Sequence, residues 1–372
     1  MKILGFHNGF DAGAALIVNG KLIGAVNEER FNRQKLYEGF PEQSISFLLE
    51  EANISLVDID IFAYGWFQGT NASQVMPNLV KRIGRCSNDI IALDIIEDRL
   101  RSEFDNDEKV LSQALAHLKE RGIDQEKIHC FEHHKSHAWS AYAPSPFDEA
   151  LVVTADGRGD YKSMTVSVAN HDGISEIDWL STLDSVGYLY SRITHLLGFK
   201  FFRHEGKITG LAAYGSSQKT KPIMKQMMSL EDGQIVSNLG EWFTPFPSNI
   251  SKTISNALSG FSREDIAAGL QEHVEELVVG FIQQKLKSYP MKNICLAGGL
   301  FANVKLNQKI FEINGINNIY VQPHMGDGGI ALGSAIIANF ETSGSAKLCL
   351  PDVYLGSKYT DSPIRKTLET FP

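Results

Sequence analysis

Three of the chain's eleven histidines fall within five residues, in Glu132-His133-His134-Lys135-Ser136-His137-Ala138. His133 and His137 stand four apart. On a helix both imidazoles would share one face and reach one metal ion. The same spacing also serves a solvated histidine-rich helix start, or a core histidine with a satisfied partner. Two aspartates favour the metal. Asp156 ends the apolar run Leu151–Ala155 in the turn Asp156-Gly157-Arg158-Gly159-Asp160. Asp327 lies in Pro323-His324-Met325-Gly326-Asp327-Gly328-Gly329, after another strand. Both positions are carboxyl ends of strands, where open α/β sheets gather ligands, although aspartate before glycine is also ordinary turn chemistry. Two histidines, carboxylates and open positions suit Fe(II), Zn(II) or Mn(II). The residue after His133 is His134 and not glutamate, which argues against a HExxH metalloprotease.

Glycine-rich turns form a second group. Asp11-Ala12-Gly13, Asp156-Gly157-Arg158-Gly159 and Gly298-Gly299-Leu300-Phe301-Ala302-Asn303 each follow a predicted strand. Glycine lets backbone N–H groups approach phosphate oxygens, and Gly298-Gly299 also opens a helix whose N-terminus favours an anion. There is no Walker A sequence and no GxGxxG after a strand. Two hairpin turns and a helix start instead match the nucleotide clamp of actin-like ATPases and sugar kinases. Asp11, Gly13, Gly157, Gly159, Gly298, Gly299 and Asn303 are the candidate nucleotide residues, and ordinary tight turns are the alternative. Arg30, Arg33 and Lys35 could grip a phosphate or carboxylate, or form a solvated charged turn. Glu205 and Lys207, among the glycines of Arg203–Gly215, point into a cleft or pair on the surface.

The elements that must position these residues occur twice. Ile3–Phe6, Ala14–Val18 and Leu22–Val26 are predicted strands, with Asn19-Gly20 as a hairpin turn. Ala150–Ala155, Ser163–Val168 and Ile174–Leu180 repeat the grammar with Asp172-Gly173. Helices are predicted near Glu42–Ala52, Asp89–Phe104, Glu108–Arg121, Gly187–Leu197, Asp265–Lys287, Phe301–Phe311 and Ile330–Phe340. Strands alternating with helices argue for an α/β fold. The polar stretch 216–260 reads as a mobile insert.

Composition sets limits on function. The 372 residues are 43% hydrophobic and 21% charged, ordinary for a globular chain able to bury a core. A formal charge of −9 argues against general nucleic-acid or membrane-surface binding. Four scattered cysteines make neither a disulfide framework nor a CxxC knuckle. No signal-peptide pattern and no long apolar run is present, so the expected location is cytoplasmic.

Six segments together resemble the O-carbamoyltransferases, the family of nodulation protein U and the cephamycin and tobramycin carbamoyltransferases. They are NEERFNRQK to FP (Asn27–Pro41), HHKSHAWSAYAPSPF (His133–Phe147), VVTADGRGD (Val152–Asp160), RHEGKITGLAAYG (Arg203–Gly215), AGGLFANVKLN (Ala297–Asn307) and PHMGDGGIALGSA (Pro323–Ala335). The resemblance implies an actin-like ATPase fold of two duplicated RNase-H-like lobes, expected at 1–147 and 148–345. A C-terminal extension, 346–372, would link to a YrdC-like domain. It implies that carbamoyladenylate, made from carbamoyl phosphate and ATP by a YrdC-like domain in cis or in trans, gives its carbamoyl group to a hydroxyl of a small molecule or glycan. The family metal, usually iron, would fall on His133, His137, Asp156 and Asp327. His134 and His7 are candidate bases for the acceptor hydroxyl. Two other readings stay open: an actin-fold small-molecule kinase, which needs no HxxxH helix, and a nucleotide-binding subunit that docks a YrdC-like partner.

Overall fold

The computed structural model of the protein describes residues 1–66, 72–350, 352–356 and 359–371. Of the expected C-terminal extension, residues 351, 357, 358 and 372 lie outside the described ones. Asn19 and Gly20 both take positive φ, the conformation a tight hairpin turn demands, and join β2 (Gly13–Val18) to β3 (Lys21–Asn27). The β2 strand also pairs antiparallel with β1 (Lys2–His7), and β4 (Ile61–Tyr64) and β5 (Ile128–Cys130) extend the sheet in parallel. Its order is β3-β2-β1-β4-β5.

The second sheet repeats that order. β6 (Ala150–Gly159), β7 (Lys162–Asn170) and β8 (Gly173–Ser181) run antiparallel, while β11 (Asn293–Ala297) and β12 (Asn318–Val321) add in parallel, giving β8-β7-β6-β11-β12. The strands β9 (Met228–Glu231) and β10 (Gln234–Ser237) form a separate hairpin. Three antiparallel strands followed by two parallel ones, twice over, is the duplicated RNase-H-like arrangement of the actin-like fold. The repeated strand-turn-strand grammar of the sequence is therefore a real duplication.

Two helices lie between the sheets. The helix His133–Tyr142 follows β5 yet packs on β6, β7 and β11, and Ile330–Ser343 follows β12 yet packs on β1, β2 and β4. They approach so closely that a Cβ on Gly333 would stand 1.9 Å from the Ser136 carbonyl oxygen, so only glycine fits there. This central layer, with Trp139, Tyr142, Ile336 and Ile337, buries one face of each sheet. Separate apolar clusters fill the outer faces.

Three expectations are corrected. The predicted break between helices near Asp105-Asn106-Asp107 is absent, and one helix runs from Ile90 to Glu120. Of the polar residues that suggested a breaker, Asp107 is satisfied by a tertiary ion pair with Arg158. The stretch 216–260 is not a mobile insert. It carries the helix Lys221–Met227, the β9–β10 hairpin and the helix Lys252–Leu258. Its Met224, Met227, Ile235 and Phe243 are buried in the second lobe's core. The expected charged turn at Glu28–Lys35 contains a short helix, Glu29–Asn32. Glu28 is buried, and its carboxylate accepts from Ser44 N and Ser44 Oγ at 2.8 and 2.7 Å, at the start of helix Glu42–Ala52.

Candidate active site

Glu132 starts the histidine helix. Its carboxylate accepts the N–H groups of His134 and Lys135, satisfying two of the orphan donors at the helix N-terminus. The His133 N–H donates to Asp160 Oδ2 at 2.8 Å, which ties the first turn to the loop after β6. The i, i+4 spacing then aims both His133 and His137 at the end of β6. His133 Nε2 lies 2.7 Å from Asp156 Oδ2. His137 Nε2 lies 3.3 Å from the same oxygen and 3.5 Å from Asp327 Oδ1. One ligand atom from each of His133, His137, Asp156 and Asp327 falls within 4.8 Å of the others.

The fit to a metal ion rests on unmet hydrogen-bond capacity. His137 Nδ1 and Nε2, His133 Nδ1 and Asp156 Oδ1 are buried without a partner among the described residues; the His137–carboxylate approaches have the distance but not the direction of a hydrogen bond. Buried polar atoms are normally satisfied, and a divalent cation at about 2.0–2.2 Å from one donor of each ligand would satisfy His137 Nε2, the atom that faces both carboxylates. Without a cation, burial drives His133 toward the neutral imidazole. Burial acts the same way on His137, but Asp156 and Asp327 outweigh it and hold that ring up at about 9.

The surrounding groups fix the ligands. His134 Nδ1 lies 2.7 Å from Thr154 Oγ1, which in turn meets Thr165 Oγ1. His134 Nε2 stands 3.4 Å from Asp156 Oδ1, and burial lowers this imidazole to about 3. Gly159 faces His133 so tightly that a Cβ would meet the ring at 2.1 Å. The Trp66 ring packs edge-on against His133, with centroids 4.7 Å apart.

A cleft of about 670 Å³ opens between the lobes beside this cluster. Asp11, Asp156, Gly157, Glu205, Gly299, Asn303 and Asp327, all anticipated from the sequence, line it. Asn303 caps the helix Val304–Phe311 by accepting from Leu306 N, and exchanges hydrogen bonds with Gln271. Glu205 Oε1 accepts from Ser191 Oγ at 2.7 Å and from Phe202 N.

Other anticipated residues are not among those lining the cleft. Gly13 pairs with Asn27 in the first sheet, Gly159 backs His133, and Gly298 is buried at the end of β11, just ahead of Gly299. His7 is buried at the end of β1, with Nε2 3.1 Å from the Phe10 carbonyl, and burial lowers its pKa against the pull of Asp327. His134 lies behind the metal-ligand cluster. Arg30, Arg33 and Lys35 face solvent, and Lys207 is exposed beside the Phe199 ring. The sequence reading did not single out Trp66, Arg158, Tyr188, Tyr190 or His324, which do line the cleft. His324 Nε2 reaches Asp11 Oδ2 at 3.2 Å and so joins the two lobes. Arg158 and His324 sit inside the glycine-rich motifs, so their signal was present in the same lines.

The profile of the family described as Carbamoyltransferase N-terminus matches residues 2–336. The chain belongs to the carbamoyltransferase N-terminus family. Among its relatives, nodulation protein NolNO of Sinorhizobium fredii is 30% identical over 93% of this chain and 49% of its own length. An uncharacterized Synechocystis protein, sll1178, is 29% identical over 96% of this chain and 61% of its own. The tRNA N6-adenosine threonylcarbamoyltransferase of Lacticaseibacillus casei is 28% identical over 55% of this chain and 59% of its own. The chain thus spans about half to three-fifths of these curated relatives. No helix among the described residues is long and apolar enough to cross a membrane.

Proposed function

We propose that the cleft transfers a carbamoyl group from carbamoyladenylate to a hydroxyl of a small molecule or glycan. The observation that carries this reading is the meeting of the buried His133 and His137 with Asp156 and Asp327, which line the same cleft as Gly299 and Asn303. The four ligands would hold a divalent metal, iron by family resemblance and zinc or manganese as alternatives, whose chemistry is Lewis-acid polarisation of a carbonyl oxygen.

The chain's own residues divide the remaining tasks. Thr154 holds His134 through Nδ1, and that ring backs Asp156 with Nε2 3.4 Å from Oδ1, the place outer groups take behind ligating carboxylates. Gly299 and the helix start capped by Asn303 offer backbone dipoles to the adenylate phosphate. Glu205, fixed through Oε1, has Oε2 available for a ribose hydroxyl. Arg30, Arg33 and Lys35 are exposed and precede the cleft residues Leu36 and Glu38 in the chain, and their charge would steer an anionic donor inward. Synthesis of carbamoyladenylate from carbamoyl phosphate and ATP belongs, in this reading, to a YrdC-like unit in cis or in trans.

The test follows nucleotide products from metal-loaded protein. Acceptor-dependent release of AMP from synthetic carbamoyladenylate, abolished by a chelator, is the expected result. ADP formed from ATP with an acceptor would move the assignment to a kinase. No acceptor-dependent AMP across a broad alcohol panel would overturn the transfer reading.

A further inference from the structure

The helix Ile90–Glu120 carries a row of charged residues on its inner face. Arg99, Glu103 and Asp107 follow one another at four-residue intervals and are 4%, 3% and 6% exposed. Charges in such a row normally face water, because taking them out of it is costly unless each is paired. Here each is paired. Arg99 donates to Glu103 at 3.0 Å and to the Pro245 carbonyl at 3.1 Å. Arg158 Nη1 donates to Asp107 Oδ1 at 2.8 Å.

The helix is also anchored at both ends. Ala92 and Ile96 belong to the second lobe's core, and Ala114 and Leu118 to the first lobe's. Its middle turns are therefore a fixed wall of the cleft, where Asn106 and Val110 face the cavity. Arg158 lines the cavity two residues beyond Asp156, with its guanidinium 5.6 Å from the Trp66 ring centroid. Asp107 is not among the lining residues and stands behind it.

We infer that Arg158 is an acceptor-binding, specificity-determining residue and that Asp107 is its positioning partner. Asp107 cancels the guanidinium charge from behind, so the cavity side offers a rigid fork of N–H donors with little net charge. The planar fork matches two adjacent oxygens better than a lone hydroxyl, and with its charge already met by Asp107 a second anion gains less there than a neutral pair. The acceptor class selected is then a vicinal diol, with the Trp66 ring as the apolar surface beside it. This inference rests on the transfer reading only for the word acceptor; the binding preference can be measured without turnover.

The experiment titrates the metal-loaded full chain, with AMP present, with methyl glycosides and their monodeoxy analogues, by calorimetry. Wild type should favour the diol over the deoxy partner by at least about tenfold, the scale of leaving a site's polar group unpaired. Arg158→Lys keeps the charge against Asp107 but removes the fork, and should flatten that preference while AMP affinity stays unchanged. Asp107→Asn should flatten it too, and if that variant unfolds, Arg158→Lys decides alone. Full discrimination in Arg158→Lys, loss of AMP affinity in place of discrimination, or a wild type that does not distinguish the pairs would each overturn the inference. Discrimination without any carbamoyl transfer would sink the transfer reading and leave this one standing.

Discussion

His133 Nε2 and Asp156 Oδ2 meet at 2.7 Å, although one opens a helix that follows the first sheet and the other ends a strand of the second. The contact exists because that helix crosses over to pack on the second sheet. The proposed metal-ligand cluster is therefore built at the junction of the two lobes, and removing one of its residues should act on metal before it acts on folding.

His137→Ala is the direct test. It should lower metal affinity at least about a hundredfold, beyond the range of outer-shell changes. Metal content per chain after dialysis reads this directly. Full retention of a tightly held ion would place the metal elsewhere.

Gly159→Ala should act through space. Its new methyl would fall 2.1 Å from the His133 ring, so the ring or the β6 strand must shift. Overpacking of this kind costs about 1–3 kcal/mol, visible as a lowered melting temperature. Metal affinity should fall alongside, and an unchanged affinity would show that the ring has room to move.

Asn303→Ala removes the cap of helix Val304–Phe311 and half of the pair with Gln271. Loss of the cap alone costs about 1 kcal/mol. Urea unfolding should show that decrease, and fluorescence titration should show weaker AMP binding. Unaltered AMP binding would remove this helix start from the nucleotide site.

His273 supplies a pH dependence away from the cleft. Burial lowers its imidazole to about 4 while Nε2 lies 2.9 Å from the Met228 carbonyl. The folded state thus holds the neutral ring, and the unfolded state takes up a proton below about 6.5. Its contribution is complete above that value and lost as pH falls toward 4, by up to about 3 kcal/mol. Chemical unfolding measured from pH 7 to 4 should show a shallower decline for His273→Gln than for wild type. Parallel declines would assign the acid sensitivity to other groups.

The local chemistry was legible because it depends on short spacing. The i, i+4 histidines, the Asn19-Gly20 hairpin and the aspartates at strand ends are set by backbone periodicity and turn conformation, which a few neighbouring residues dictate. The duplication was legible for the same reason, since each lobe repeats the same three-strand grammar. The two aspartates that meet His133 and His137 could be named as well, because the turn after an apolar strand is where a sheet presents polar side chains.

Long-range pairing was not legible in this way. Nothing near Asp107 announces Arg158, so Asp105-Asn106-Asp107 reads as a helix break until the ion pair forms. Nothing near Asp11 announces His324, which meets it only across the cleft. The polar stretch 216–260 looked loose because its buried residues are spaced among turns, and only the surrounding lobe gives them a core to enter. By itself the sequence determined which side chains are candidates for chemistry and the strand ends or helix faces that bear them. The tertiary structure decided which of them share one cleft, because burial and charge pairing between distant segments follow from how the lobes pack.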